Sequence, residues 1–198
     1  MTRQSHQLPS KWHWVSLGDL APQSDAFVDG PFGSNLKTEH YTASGVRVVR
    51  LQNIGRGTFL DNDRAFVSPE HFAGLMRHSV VPGDVVVAAL GDGARRPAGR
   101  ACLIPVYFGQ GLVKADCFRL RLPKEIITAA YLVYFMNSPQ CLARIMEMMR
   151  GATRPRVTLG MLRSLSIPLP PLAEQVRIAS WLDSAYIAVE RARAAAEA

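Results

Sequence analysis

Two stretches of this chain set long cationic side chains beside glycines. Between Gly91 and Lys114 lie Arg95, Arg96, Arg100 and Lys114, opposed by Asp92 alone. Between Arg144 and Arg163 lie Arg144, Arg150, Arg154, Arg156 and Arg163, opposed by Glu147 alone. Guanidinium forks fit phosphate oxygens and the guanine edge, and glycine lets a backbone approach a duplex closely. Two further stretches carry smaller polar groups. "FGSNLK" supplies Ser34, Asn35 and Lys37, and Gln52 and Asn53 follow a strand-like run. Amide side chains of that kind pair with adenine edges. The candidate DNA contacts are therefore Ser34, Asn35, Lys37, Gln52, Asn53, Arg95, Arg96, Thr153, Arg154 and Arg156. Each has a competing reading, in which the asparagines only form turns and the arginines lie on an ordinary solvated face.

The motifs that would carry catalysis are missing. "GDGARR", Gly91 to Arg96, begins like a dinucleotide fingerprint but lacks its third glycine and precedes a strand. "NSPQ", Asn137 to Gln140, lacks the aromatic residue that would stack a flipped base and reads as a turn between helices. Asp61 and Asp63 look like turn residues rather than a metal pair. Neither a Walker loop, HExxH nor GxSxG is present, so no enzyme activity, no cofactor and no metal site are expected.

The formal charge of +7 favours a polyanionic partner. Arginine makes up 19 of the 23 Lys and Arg residues. Cys102, Cys117 and Cys141 are too scattered for a zinc site, and buried free thiols are expected. Met1 to Ser10 is polar and no apolar run reaches membrane-spanning length, so a cytoplasmic protein without membrane contact is expected.

The elements that must hold these loops are legible in part. Trp12, Trp14, Val15 and Leu17 suggest an edge strand. Val46 to Leu51, Asp84 to Leu90, Ala101 to Val106, Asp116 to Leu122 and Ser166 to Leu169 read as strands, with a short one possible at Thr58 to Leu60. Ser68-Pro69-Glu70 starts a helix that should end near Arg77. Ile127, Ala130, Tyr131, Tyr134 and Phe135 form one helical face. Leu142, Ile145, Met146 and Met149 form another, and both read as core. After Pro170-Pro171 a helix of about 27 residues, roughly 40 Å long, runs to the end of the chain. Ile178, Leu182, Ala185, Val189, Ala192 and Ala196 alternate in steps of four and three, a coiled-coil seam. The competing arrangement folds this helix back on the domain.

"SIPLPPLAEQVRIASWLD", Ser166 to Asp183, resembles the segment closing each target-recognition domain of type I restriction–modification specificity subunits, with its Glu-Gln pair at Glu174-Gln175. "GATRPRVTLGMLRSL", "VVPGDVVVAALGDGA", "GPFGSNLKTEHY", "VRVVRLQNIGRGTF" and "WHWVSLGDL" resemble other parts of that family, so the likeness runs from Trp12 to about Val189. It implies an α/β (α+β) fold: a twisted mixed sheet with peripheral helices over residues 1–170, then a coiled-coil-type spacer helix over 171–198. It also implies a non-catalytic subunit that reads one half-site of double-stranded DNA in the major groove. The partners implied are an adenine methyltransferase subunit, a motor–nuclease subunit, and a second specificity half, from the same or another chain, joined through Ile178, Leu182, Ala185, Val189 and Ala192. Full subunits of the family carry two recognition domains and two helices, whereas this sequence has one of each. The alternative is a protein-interaction module that binds DNA without sequence preference.

Overall fold

Serine–proline pairs start two helices where the sequence puts them. Ser68 and Ser138 accept backbone N–H bonds from His71 and Cys141, and Pro69 and Pro139 occupy the first helical positions. The structure, a computed structural model, describes residues 8–151, 153 and 155–197. The chain begins with β1 (His13–Ser16), α1 (Leu17–Leu20), β2 (Phe27–Asp29), β3 (Tyr41–Thr42), β4 (Val46–Val49), β5 (Phe66–Val67) and α2 (Pro69–Ala73). Then come β6 (Ser79–Val80), β7 (Val85–Ala88), β8 (Ala101–Leu103), β9 (Gly111–Val113) and β10 (Cys117–Leu120). The last elements are α3 (Ala129–Met136), α4 (Pro139–Met148), α5 (Leu159–Ser164), β11 (Ser166–Leu169) and α6 (Leu172–Glu197).

The mixed sheet resolves into two sheets and a ribbon. The order β2-β10-β7-β8 is antiparallel throughout. The order β3-β5-β4-β9-β6 is mixed, with β4 and β9 parallel. β1 and β11 pair antiparallel as a separate ribbon. Burial explains the unbroken apolar run of β7. Val85 and Val87 join α3, α4 and α5 in the main core, while Val86 and Ala88 meet Val49, Val80 and Val113 of the other sheet. A strand covered on both faces needs apolar residues at every position. Phe72 of α2 and Leu36 close the outer face of the five-stranded sheet.

Several expectations need correction. Strand β4 ends at Val49, and Leu51, expected as the last strand residue, instead opens the 3-10 turn Leu51–Asn53. Helix α2 stops at Ala73, and a separate 3-10 turn follows at Met76–His78. Met146 is exposed, so the core face of α4 is Leu142, Ile145 and Met149. Thr58 to Leu60 makes a single bridge, Ile54 to Phe59, rather than a strand. The three thiols are buried and free, and burial pushes Cys102 and Cys141 up to about 12.

The closing Glu-Gln pair has a structural job. Glu174 accepts the Trp12 indole N–H at 3.1 Å, tying β1 to α6. Gln175 is fully buried. Its Nε2 donates to the carbonyls of Ile126 and Pro170, both at 2.9 Å, and its Oε1 accepts the Thr128 N–H at 2.8 Å. One amide thus satisfies three backbone groups, two before the start of α3 and one before the start of α6. Gln175→Leu should cost on the order of 3 kcal/mol, since those groups would be buried unpaired. Urea unfolding measures it, and a loss below about 0.5 kcal/mol, the range of ordinary surface changes, would show that water replaces the amide.

Candidate nucleic-acid interface

The loops that carry the cationic residues meet at one end of the two stacked sheets. There β4 and β9 run parallel and finish together, and the Lys114 N–H donates to the Val49 carbonyl at 2.8 Å. Ala89, just past β7, donates to Asp116 and accepts from Val157, at 2.8 and 2.9 Å. Gly30, at the end of β2, lies so close to the Lys114 carbonyl that a Cβ would sit 2.1 Å from its oxygen. Glycine is required there by proximity. Backbone bonds and close contact thus gather the chain around residues 30, 50, 90, 115 and 156.

Side chains finish the surface. Arg156 is ion-paired with Asp116 at 2.6 Å and lies over the exposed Phe32 ring. Tyr41 is flanked by the cations of Arg50 and Lys114, and Arg50 also pairs with Asp63. Arg95 and Arg96 are exposed on the 91–100 loop, and Gln52 is exposed on the neighbouring turn. Gln52 and Arg96 line one shallow concavity with Leu51, Leu90, Gly91, Asp92 and Arg100. Thr153 is exposed, whereas Arg154 lies outside the described residues. Such a surface offers guanidinium forks, an amide and an aromatic face, which suits phosphates and base edges.

The remaining candidates lie elsewhere or are already engaged. Ser34 and Asn35 are exposed but line a different concavity, with His40, Ser68, Glu70 and His71. His71 bonds the Asn35 carbonyl at 2.9 Å, and Lys37 pairs with Glu39 at 3.5 Å. Asn53, expected among the DNA contacts, is not presented to solvent. It is fully buried, its Oδ1 accepts the Arg50 N–H, and its Nδ2 donates to the Leu60 and Asp63 carbonyls. It holds the turn and cannot reach a base. Arg100 is also buried rather than presented to solvent. Arg163 donates to the carbonyls of Ala21 and Gln23 and lies over Phe27. Asp61 pairs with Arg47 and Arg64, and Arg47 above all holds its carboxyl below the usual range. Among the described residues no group of three potential metal ligands exists, and no helix is long and apolar enough to cross a membrane.

The sequence assigns no role to the Phe32 and Tyr41 rings, which lie in the stretch "GPFGSNLKTEHY" matched by resemblance, and reads Arg50 only as part of a strand. The acidic groups were also missed. Burial pushes the Asp29 carboxyl up to about 6, with Asp116 adding to the rise, while the Gly30 N–H and Arg156 pull the other way. A raised carboxyl favours the protonated native state. Stability therefore falls as pH rises from about 4 towards 6 and stays reduced above that. Asp29→Asn should abolish that fall and gain on the order of 1–2 kcal/mol at pH 7.5 relative to the parent, since solvent screens part of the shift at a half-buried carboxyl. Urea midpoints across pH 4 to 8 check this, and parallel curves for parent and variant would refute it.

Two stacked sheets with cationic and aromatic side chains gathered at one end, followed by a long helix, define an α+β domain with a candidate nucleic-acid surface. The family model described as "Type I restriction modification DNA specificity domain" matches residues 9–196, and the chain belongs to that family. It is 29% identical over 149 residues to the type I restriction enzyme EcoKI specificity subunit of Escherichia coli K12, covering 74% of this chain and 31% of that protein. It is 29% identical over 154 residues to the StySPI specificity subunit of Salmonella potsdam, covering 76% of this chain and 31% of that protein. The chain thus spans about a third of the length of these relatives. The fold is shared with a solved structure of a type I restriction–modification system, at TM-score 0.70 and 22% identity over 99% of this chain and 44% of that one. It is shared also with the HsdS subunit of Thermoanaerobacter tengcongensis, at TM-score 0.66 and 21% identity over 97% of this chain and 41% of that one.

Proposed function

We propose that this chain is a non-catalytic DNA-reading subunit that recognises one half-site of a type I restriction–modification target. In this reading it recruits an adenine methyltransferase subunit and a motor–nuclease subunit, and it pairs with a second specificity half. The observation that carries the reading is the convergence of exposed Arg95, Arg96 and Gln52 with Arg156 at the shared end of two sheets. Rigid elements position such groups better than free loops do. Exposed cations alone would bind any duplex. An amide and two guanidinium forks held on one frame add the means to discriminate bases.

A second reading is favoured by a different surface. On α6, Trp181, Tyr186, Ile187 and Val189 are exposed, which suits a protein partner. On that reading the chain is a recruitment module and its DNA binding carries no sequence preference. Selection from a random duplex pool, with the chain bound to a type I methyltransferase partner, separates the two. Sequence-specific reading predicts one enriched motif. A pool that stays random would leave only the recruitment role.

A further inference from the structure

Arg100 is 3% exposed, yet it faces five backbone carbonyls rather than a carboxylate. Its Nε donates to Ile54 at 2.7 Å and its Nη2 to Leu51 at 2.9 Å. Its Nη1 donates to Leu90 at 2.7 Å, Pro97 at 3.1 Å and Arg96 at 3.3 Å. The first two carbonyls belong to the turn that carries Gln52. The other three belong to the loop that carries Arg95 and Arg96. The loop is also closed on itself. Asp92 donates to the Arg96 carbonyl at 3.0 Å, and a Cβ on Gly91 would meet the Ala98 nitrogen at 2.5 Å. Asn137 anchors the loop's far end, exchanging side-chain bonds with both backbone groups of Ala101.

The carbonyls turned inward onto one guanidinium leave the side chains between them turned outward. Gln52, Arg95 and Arg96 are all exposed. A planar fork with five N–H groups can bridge two segments in this way, whereas an ammonium has three donors at a single point. Burying a cation among carbonyls is costly, and desolvation lowers the Arg100 pKa. The buried cation joins two loops that both carry exposed polar groups.

We propose that Arg100 is a positioning residue for DNA specificity: it fixes the Gln52 turn and the Arg95–Arg96 loop in one register, so that both address the same few base pairs. This rests on the DNA-reading function proposed above. A fixed register matters because base contacts fail when a side chain is misplaced by about an ångström, while phosphate contacts tolerate such play.

The test uses the chain with its methyltransferase partner, a random duplex pool, and the duplex enriched by the parent protein. The readout is the ratio of affinities for the enriched duplex and a scrambled one. Partial unfolding lowers both affinities by the same factor and cancels in the ratio. Arg100→Met should lower the ratio about tenfold or more while leaving the salt slope within about half a unit. Arg100→Lys should lie between Met and the parent. Arg96→Ala should also reduce the ratio, and Gln52→Ala and Arg96→Ala, made in the parent with Arg100 intact, should relax motif positions within about three base pairs of each other. If the parent enriches no motif, the DNA-reading function and the positioning role fall together. If the parent enriches a motif and Arg96→Ala degrades it, but Arg100→Met keeps the full ratio, the positioning role alone is overturned. Should neither Arg100 variant fold, the parent-based pair decides: relaxed positions far apart in the motif overturn the shared register.

Discussion

Replacing Arg95 and Arg96 together by alanine should weaken binding to the enriched duplex by about a hundredfold or more, with the thermal midpoint unchanged. A base-reading arginine contributes about 1–3 kcal/mol of discrimination, and each phosphate contact adds about one unit to the salt slope. Both side chains are exposed and neither holds the loop. The loop is held by the Arg96 carbonyl, Gly91 and Arg100. Removing the side chains therefore touches function and leaves packing alone. Arg156→Ala should have a smaller effect, because Arg156 is already paired with Asp116 at 2.6 Å and a phosphate must compete with that carboxylate. Electrophoretic shifts at several salt concentrations separate the two contributions. A double variant that binds the enriched duplex as the parent does would place the reading surface elsewhere.

The sequence shows its local signals best. Serine–proline starts, the apolar run of β7 and the strand–proline–helix closure are each strong local patterns, and each is found where the residues put it. Apart from β8, strands of two or three residues left no periodic trace. β3, β5, β6 and β9 exist because neighbours hydrogen-bond to them, which is tertiary information. The site was legible by residue type and not by burial. Arg95, Arg96 and Arg100 look alike in composition, yet Arg100 is buried and the other two are exposed. A signal existed: Arg100, Cys102 and Ile104 alternate along β8 and its ends, and all three point inward. Extending the strand period by one step would have turned Arg100 into the core. Asn53 was misread for a related reason, since an amide beside a turn serves the backbone as readily as a base.

Substituting Trp181 and Val189 by aspartate should abolish pairing through α6 while leaving the domain's unfolding midpoint unchanged; Leu182→Asp should destabilise the domain itself. The difference follows from how the helix is used along its length. The seam read from the sequence, Ile178 to Ala196, splits in two. Ile178 packs against the main core, Leu182 and Ala185 are half-buried, and Asp183 accepts the Tyr134 hydroxyl from α3. From residue 186 to 196 every side chain is exposed. The face through Ile178 and Leu182 is thus committed to its own domain, while the rest of the helix keeps Val189 and Ala192 free. A parallel stripe runs through Trp181, Ala185, Ala188 and Ala192 in steps of four and three, with Trp181 69% exposed at its base. Tryptophan there supplies most of the apolar area that the alanines lack. Aspartate at both positions would bury unpaired charge in any helix pair, at several kcal/mol, so association should weaken more than about a hundredfold. An antiparallel pair of these helices, each roughly 39 Å long, would set two reading surfaces about one DNA turn apart, and twofold symmetry would make the target a bipartite palindrome. Sedimentation of the chain with a type I methyltransferase subunit, the partner proposed for it, with and without the two substitutions, reads the outcome directly. Pairing that survives them would move the interface off this helix, and a mapped target with unrelated halves would require a second, different reading domain.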